Sequence, residues 1–181
     1  MSLNSYEEMV RADNADLLEC IYPMVKADQD KRSTKTPGSF SLLHLASSSD
    51  GGIKCIDFLL QKAKEYPNQI CNDVDRATPL HFAVLANKLE NVKILLRYGA
   101  NVNSKDSFGN TAMHFAVANQ NLRIVKILEE FGASATQRND DDICPIDTCI
   151  TEDFKDIKMY FTGLSKYKSF DFSGMNQTVH T

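Results

Sequence analysis

The hexapeptide Thr78-Pro79-Leu80-His81-Phe82-Ala83 returns 33 residues later as Thr111-Ala112-Met113-His114-Phe115-Ala116, and Gly99-Ala100 returns as Gly132-Ala133 at the same offset. A fixed period of this length means one supersecondary unit stacked on copies of itself, each buried by its neighbours. The period predicts a solenoid held by local contacts, with no distant strand pairing, and it argues against catalysis.

The residue types within one period have physical reasons. Thr78 can cap a helix through its hydroxyl, and Pro79 suits the first helical position, where its missing N–H would be unpaired anyway. Leu80, Ala83 and Val84 then share one apolar face. Small Ala83 and Ala116 let neighbouring helices approach closely. Val92, Leu95 and Leu96 form the stripe of a second helix, repeated by Val125, Ile127 and Leu128. Gly99 and Gly132 follow those helices, where a left-handed residue ends a helix without steric cost. The segments Asn101–Asn110 and Ser134–Cys144 are expected as extended fingers with turn residues at their tips. Weaker copies flank the two clear ones: Ser41-Leu42-Leu43-His44-Leu45-Ala46 before, and Cys144-Pro145-Ile146-Asp147-Thr148-Cys149 after. His44 and His81 are 37 residues apart, an excess that fits one extra residue within 47–52 and about three within 61–72.

T-P-L-H-x-A followed by an apolar helix and a Gly-Ala-Asn-Val-Asn finger resembles the ankyrin-repeat family over roughly residues 5–162. The resemblance implies an all-α solenoid of about five repeats, each a helix-turn-helix unit with a β-hairpin-like finger. It implies a repeat domain over 1–163, with degenerate terminal repeats, and a tail over 164–181. His44, His81 and His114 would then bond the cap hydroxyl and a neighbouring backbone group, a structural role rather than a metal or proton-transfer role, and Asp147 stands in the fifth repeat where a histidine is usual. Asn103 resembles a finger asparagine that oxygen-dependent hydroxylases modify in some ankyrin repeats; its ordinary role would be to bond the turn backbone.

The ends read as caps. Ser5-Tyr6-Glu7-Glu8 is a capping-box pattern opening a short helix. Leu17, Leu18, Ile21 and Tyr22 mark a second helix that Pro23 disturbs or ends, followed by a looser basic stretch over Lys26–Gly38 with Lys31, Arg32 and Lys35. Phe154, Ile157 and Phe161 mark the last helix, which Gly163 stops. Beyond it, Tyr167, Phe170, Phe172 and Met175 are too many apolar anchors for a disordered tail and predict that it folds back over the last helix or docks elsewhere.

Composition narrows the function classes. The 181 residues are 43% hydrophobic, enough for one continuous core. A net charge of −4 argues against general nucleic-acid binding, which needs clustered Lys and Arg. No apolar run approaches the roughly 18 residues of a membrane span, and the first residues lack the basic and apolar regions of a secretory signal. Five cysteines without metal-type spacing fit reduced thiols in cytoplasm or nucleus. No phosphate loop, nucleophile elbow, H-E-x-x-H or dinucleotide fingerprint occurs. The sequence therefore predicts no cofactor, metal or small-molecule substrate.

The resemblance to the ankyrin-repeat family implies binding to another protein through positions that the fold leaves free. By repeat geometry these are Val74, Asp75, Ala77, Leu85 and Ala86 in one repeat, and Ser107, Phe108, Asn110, Ala118 and Asn119 in the next. Asp140, Asp141 and Asp142 lie on the last finger. Phe108 is the expected aromatic anchor, and the three carboxylates would orient a partner carrying a basic patch. The expected role is a scaffold or structural subunit of a larger assembly. An inhibitor or assembly chaperone masking one partner is the alternative, and a regulatory subunit of an enzyme is the alternative of a different class.

Overall fold

The computed structural model describes residues 8–33, 41–71, 75–149 and 152–168. Helical hairpins succeed one another through them. A helical turn ending at Arg11 precedes α1 (Ala15–Ser33); α2 (Leu42–Ser48) pairs with α3 (Ile53–Asp57), α4 (Pro79–Leu85) with α5 (Leu89–Arg97), and α6 (Ala112–Ala118) with α7 (Leu122–Glu130). A 3-10 turn (Pro145–Thr148) precedes α8 (Lys155–Gly163). The inner row packs as α2 on α4, α4 on α6 and α6 on the 3-10 turn; the outer row packs as α3 on α5, α5 on α7 and α7 on α8. Between the rows lies one continuous core, with Leu43, Ile56, Leu80, Leu95, Met113, Ile124, Leu128, Ile157 and Phe161 fully buried.

No strand occurs among the described residues. The fingers are nevertheless hairpin-like: Asp106 N–H donates to Asn110 O at 2.9 Å and Asn139 N–H to Ile143 O at 2.9 Å. Single backbone bonds join neighbouring tips, Ser107 N–H to Asp75 O at 2.9 Å and Asp140 N–H to Phe108 O at 3.0 Å. These bonds, with Asn139 Nδ2 donating to Asn110 Oδ1 at 2.8 Å and Lys105 Nζ to Arg138 O at 2.8 Å, hold the fingers in a row without making a sheet.

The inner helices α4 and α6 open on the same cap, and at α2 Ser41 Oγ bonds His44 Nδ1 at 2.8 Å. Thr78 N–H donates to His81 Nδ1 at 3.1 Å and Thr111 N–H to His114 Nδ1 at 3.0 Å. Because Nδ1 accepts, the ring proton belongs on Nε2. That proton reaches the next repeat: His44 Nε2 bonds Ala77 O and His114 Nε2 bonds Ile143 O, each at 3.1 Å. The buried His81 Nε2 faces the backbone at Asn110 and Ser104 but closes no hydrogen bond there. In the fifth unit Cys144 N–H and Sγ–H donate to Asp147 Oδ2 at 3.0 and 2.9 Å. A carboxylate can replace Nδ1 as acceptor, although it has no second N–H to reach onward.

The backbone repeats as strictly as the motif. Left-handed residues recur 33 apart at Arg76, Gly109 and Asp142 in the fingers, at Asn87 and Gln120 between paired helices, and at Gly99 and Gly132 after the outer helices. At Gly109 (φ 74°) a Cβ would lie 2.8 Å from Asp140 N, so that position tolerates no side chain. Gln120 (φ 56°) meets the same turn demand with a side chain that L-residues hold at a cost there. Gln120→Gly should therefore raise stability by about 0.5–1 kcal/mol, the left-handed penalty less glycine's extra chain entropy. A lowered melting temperature would contradict this.

The second unit departs from the period. Its outer helix widens after Asp57 into a π-helical turn, Phe58–Lys62, closed by Ala63 N–H to Phe58 O at 3.0 Å. Lys64 (φ 53°) then takes the left-handed place that Gly99 and Gly132 hold elsewhere. The predicted surplus over 61–72 is thus absorbed partly inside the helix.

Two expectations at the N-terminal end need correction. α1 runs through Pro23 to Ser33, so Pro23 does not end it and the basic stretch is helical as far as Ser33. Leu18 and Tyr22 bury the packed face, while Glu19, whose carbonyl loses its partner, and Pro23 are exposed to water. Residues 34–40 and most of the Ser5–Glu8 capping box lie outside the described residues, as do Phe170, Phe172 and Met175. The start of the tail does fold back. Tyr167, 5% exposed, stacks edge-on against Phe161 at 5.4 Å and accepts Ala135 N–H at 3.3 Å.

Candidate functional site

The finger tips and the free ends of the inner helices line one side of the stack. Asp75, Ser107, Phe108, Asp140, Asp141 and Asp142 are exposed along the tips, with Phe108 54% exposed. Asp106 presents that ring by accepting the N–H groups of Phe108 and Asn110 through Oδ1, each at 2.8 Å. Leu85 is 48% exposed at the end of α4, Ala86 is half-buried, and Ala118 and Asn119 are exposed at the end of α6.

Several predicted residues behave differently. Ala77 is 6% exposed and is withdrawn as a contact residue: its carbonyl accepts both the His44 ring and Cys71 N–H, which draws it under the neighbouring unit. Asn110 is half-buried, its Oδ1 accepting Asn139 Nδ2 at 2.8 Å. Asn119 spends its amide on the Val84 carbonyl at 3.0 Å, binding α6 to α4. Val74 lies outside the described residues.

Phe82 and Phe115 were missed. Both are partly exposed, and each ring stands edge-on to the histidine of the preceding repeat, at 5.1 and 5.8 Å. They occupy the free x of T-P-L-H-x-A, which was the available signal. From Ser41 to Ser48, Thr78 to Ala86 and Thr111 to Asn119 there is no Lys, Arg, Asp or Glu, so the inner face is uncharged across three repeats. The outer helices, by contrast, carry Glu90, Lys93, Arg97, Arg123, Lys126, Glu129 and Glu130.

Asparagine amides lock the repeats together. Asn91, buried, donates to the Ala46, Ser47 and Ser49 carbonyls at 3.0–3.2 Å. The turn at Asn103 is supported by Asn101 Oδ1, which accepts Asn103 N–H at 3.1 Å, while the Asn103 side chain donates to Gly132 O and accepts Ser134 N–H, both at 3.2 Å, so its amide bridges to the following repeat. Asn68 does the same one unit earlier, to Gly99 O and Asn101 N–H.

Electrostatics at the histidines and thiols are set by burial. Burial holds the His44 imidazole down to about 4, partly opposed by the Ala77 carbonyl. It also lowers His81 and His114. Burial pushes the Cys55 and Cys149 thiols up to about 12 and Cys144 up to about 11, the opposite of an activated nucleophile. On the fifth finger Arg138 lies 3.5 Å from Asp142 and 3.6 Å from Asp147, which leaves Asp140 and Asp141 as its outward carboxylates. Among the described residues no three His, Cys, Asp or Glu groups are arranged to hold a metal ion, and no helix is long and apolar enough to cross a membrane.

Comparison with known proteins agrees with this geometry. The family described as "Ankyrin repeats (3 copies)" matches residues 9–106 and 43–139. The chain belongs to the ankyrin-repeat family. Ankyrin repeats are protein-interaction modules and typically noncatalytic. The chain is 49% identical over 39 residues to Ankyrin repeat protein OPG189 of Vaccinia virus (strain Copenhagen), covering 22% of this chain and 7% of that protein. It is 41% identical over 86 residues to Protein phosphatase 1 regulatory subunit 27 of Mus musculus, covering 48% of this chain and 55% of that protein. Less than two thirds of either relative's length is spanned.

Proposed function

We propose that this ankyrin-repeat chain is a noncatalytic binding subunit that holds one protein partner along its inner helices and finger tips and sits as a fixed component in a larger assembly. The supporting observation is the uncharged inner face, bordered by the exposed Phe108 ring and the Asp140 and Asp141 carboxylates. An apolar centre with a charged rim is the composition of a specific interface. Reduced thiols, four of the five buried, fit a place in cytoplasm or nucleus.

A second reading rests on the likeness to a phosphatase regulatory subunit. In it the partner is an enzyme whose activity the chain adjusts. The two readings separate on exchange: a fixed subunit co-purifies near 1:1 through high salt, whereas a reversible regulator or masking protein exchanges within minutes. With the captured partner in hand, Asp140→Asn combined with Asp141→Asn should slow association about tenfold at low salt and flatten its salt dependence, as expected for rim charges. An unchanged on-rate across ionic strengths would remove these carboxylates from the interface.

A further inference from the structure

The positions left open on the inner helices repeat with the motif. On α2, α4 and α6 they are the residue after the histidine and the one three places later: Leu45 and Ser48, Phe82 and Leu85, Phe115 and Ala118. All remaining positions of these helices are buried. Because α2 packs on α4 and α4 on α6, the three pairs form two adjoining rows across the stack. The junctions are closed: the Phe82 ring lies 5.1 Å from His44 and the Phe115 ring 5.8 Å from His81, each reaching back onto the preceding repeat. All of the six but Ser48 are apolar.

Charge and hydrogen bonding restrict what can lie on these rows. The three inner segments hold no Lys, Arg, Asp or Glu, so an ionised group laid on them would lose its water without gaining an opposite charge. The matching side of an occupant is therefore uncharged. Charge returns at the border, where Arg11 and Asp50 adjoin Leu45 and Ser48. Side-chain donors are already engaged within the fold: Ser48 Oγ–H donates to Leu45 O and Asn119 Nδ2 to Val84 O, each at 3.0 Å. An extended segment would leave its carbonyls unpaired here, at a cost in a desolvated contact. An α-helix pairs its own backbone and needs no donors from the surface beneath it.

Repeat spacing selects the same form. Packed helices stand about 8–10 Å apart. Seven residues of an α-helix rise about 10.5 Å and complete almost two turns, which returns a side chain to one face once per repeat. Same-side residues of a strand recur at about 6.6 or 13 Å and miss that spacing. A polyproline helix matches it, at about 9 Å for three residues, but pairs none of its own backbone.

We propose that the partner lays an amphipathic α-helix across α2, α4 and α6, with uncharged apolar anchors seven residues apart. This deepens the proposed function, on which it rests, by giving the form of what the inner face holds.

The test pans the full chain against phage-displayed random peptides of about 18 residues, long enough for three such anchors. Enriched sequences should repeat apolar residues at intervals of seven, and the synthetic peptides should gain helical circular dichroism on binding. Leu85→Asp combined with Ala118→Asp, both at exposed positions, should weaken them at least about tenfold. If that double variant lost its own helical signal, Leu85→Ser alone carries the same expectation. Met159→Ser, on α8, should bind them like the parent. Alternating or proline-rich sequences that the double variant fails to bind would overturn the helix and leave the inner-face reading standing. Sequences bound equally by the parent and the inner-face variants, or no enrichment at all, would overturn both.

Discussion

Acidification from pH 7 to pH 4 should weaken the fold by about 3 kcal/mol through His44 alone. An unfolded histidine takes up its proton near pH 6.5, whereas burial holds folded His44 down to about 4. Between those values the unfolded chain binds the extra proton and the folded chain does not, so stability is complete above pH 6.5 and is lost as pH falls towards 4. The difference of 6.5 − 4, or 2.5 units, at about 1.36 kcal/mol per unit gives the stated loss. His81 and His114 are lowered too and act in the same direction. A protonated ring would carry a proton on Nδ1, where the cap N–H groups of Thr78 and Thr111 now donate, so the caps fail with the charge. Urea midpoints followed by circular dichroism at pH 7, 5.5 and 4 test this. In His44→Gln stability should be lower at pH 7 but fall less on acidification. A midpoint constant from pH 7 to 4 would contradict the account.

Met113→Ala should cost about 2–5 kcal/mol and should also change how the chain unfolds. Met113 is fully buried on α6, which touches α4 on one side and the 3-10 turn on the other. In a stack each unit gains its stability from its neighbours alone, so the loss falls on the two interfaces of the fourth repeat rather than on the molecule as a whole. The urea transition should broaden or split, with a lower slope. The chain has no tryptophan, so circular dichroism and tyrosine fluorescence are the probes. A single transition with the parental slope, shifted only in midpoint, would show that coupling spans the whole stack.

Much of this architecture could be read along the chain. Helices and caps arise from contacts between residues three and four apart, and His81 sits three residues from the Thr78 cap it serves. The 33-residue spacing then specified stacking, because no single unit can cover its own apolar stripe. Asp147 was visible as an oddity. Its reason appeared only with Cys144 N–H and Sγ–H donating to it at the end of the row, where an onward ring proton is not used.

The candidate surface was less legible, because exposure is decided by what the next unit covers. Ala77 looked like a free finger residue and is covered, while Phe82 and Phe115, given no role by the apolar pattern, are partly open. Pro23 looked like a helix end, yet buried Leu18 and Tyr22 hold the helix through it.

The sequence by itself determined the period, the caps and the interaction class, since these rest on local chemistry repeated in register. Tertiary structure alone decided which amides bridge repeats and how the second unit absorbs its extra residues. It also decided that the insertion turns Glu65, Asn68 and Gln69 inward and Tyr66 and Ile70 outward. The bridging bonds reach partners 28 to 45 residues away, and no local pattern encodes a contact at that distance.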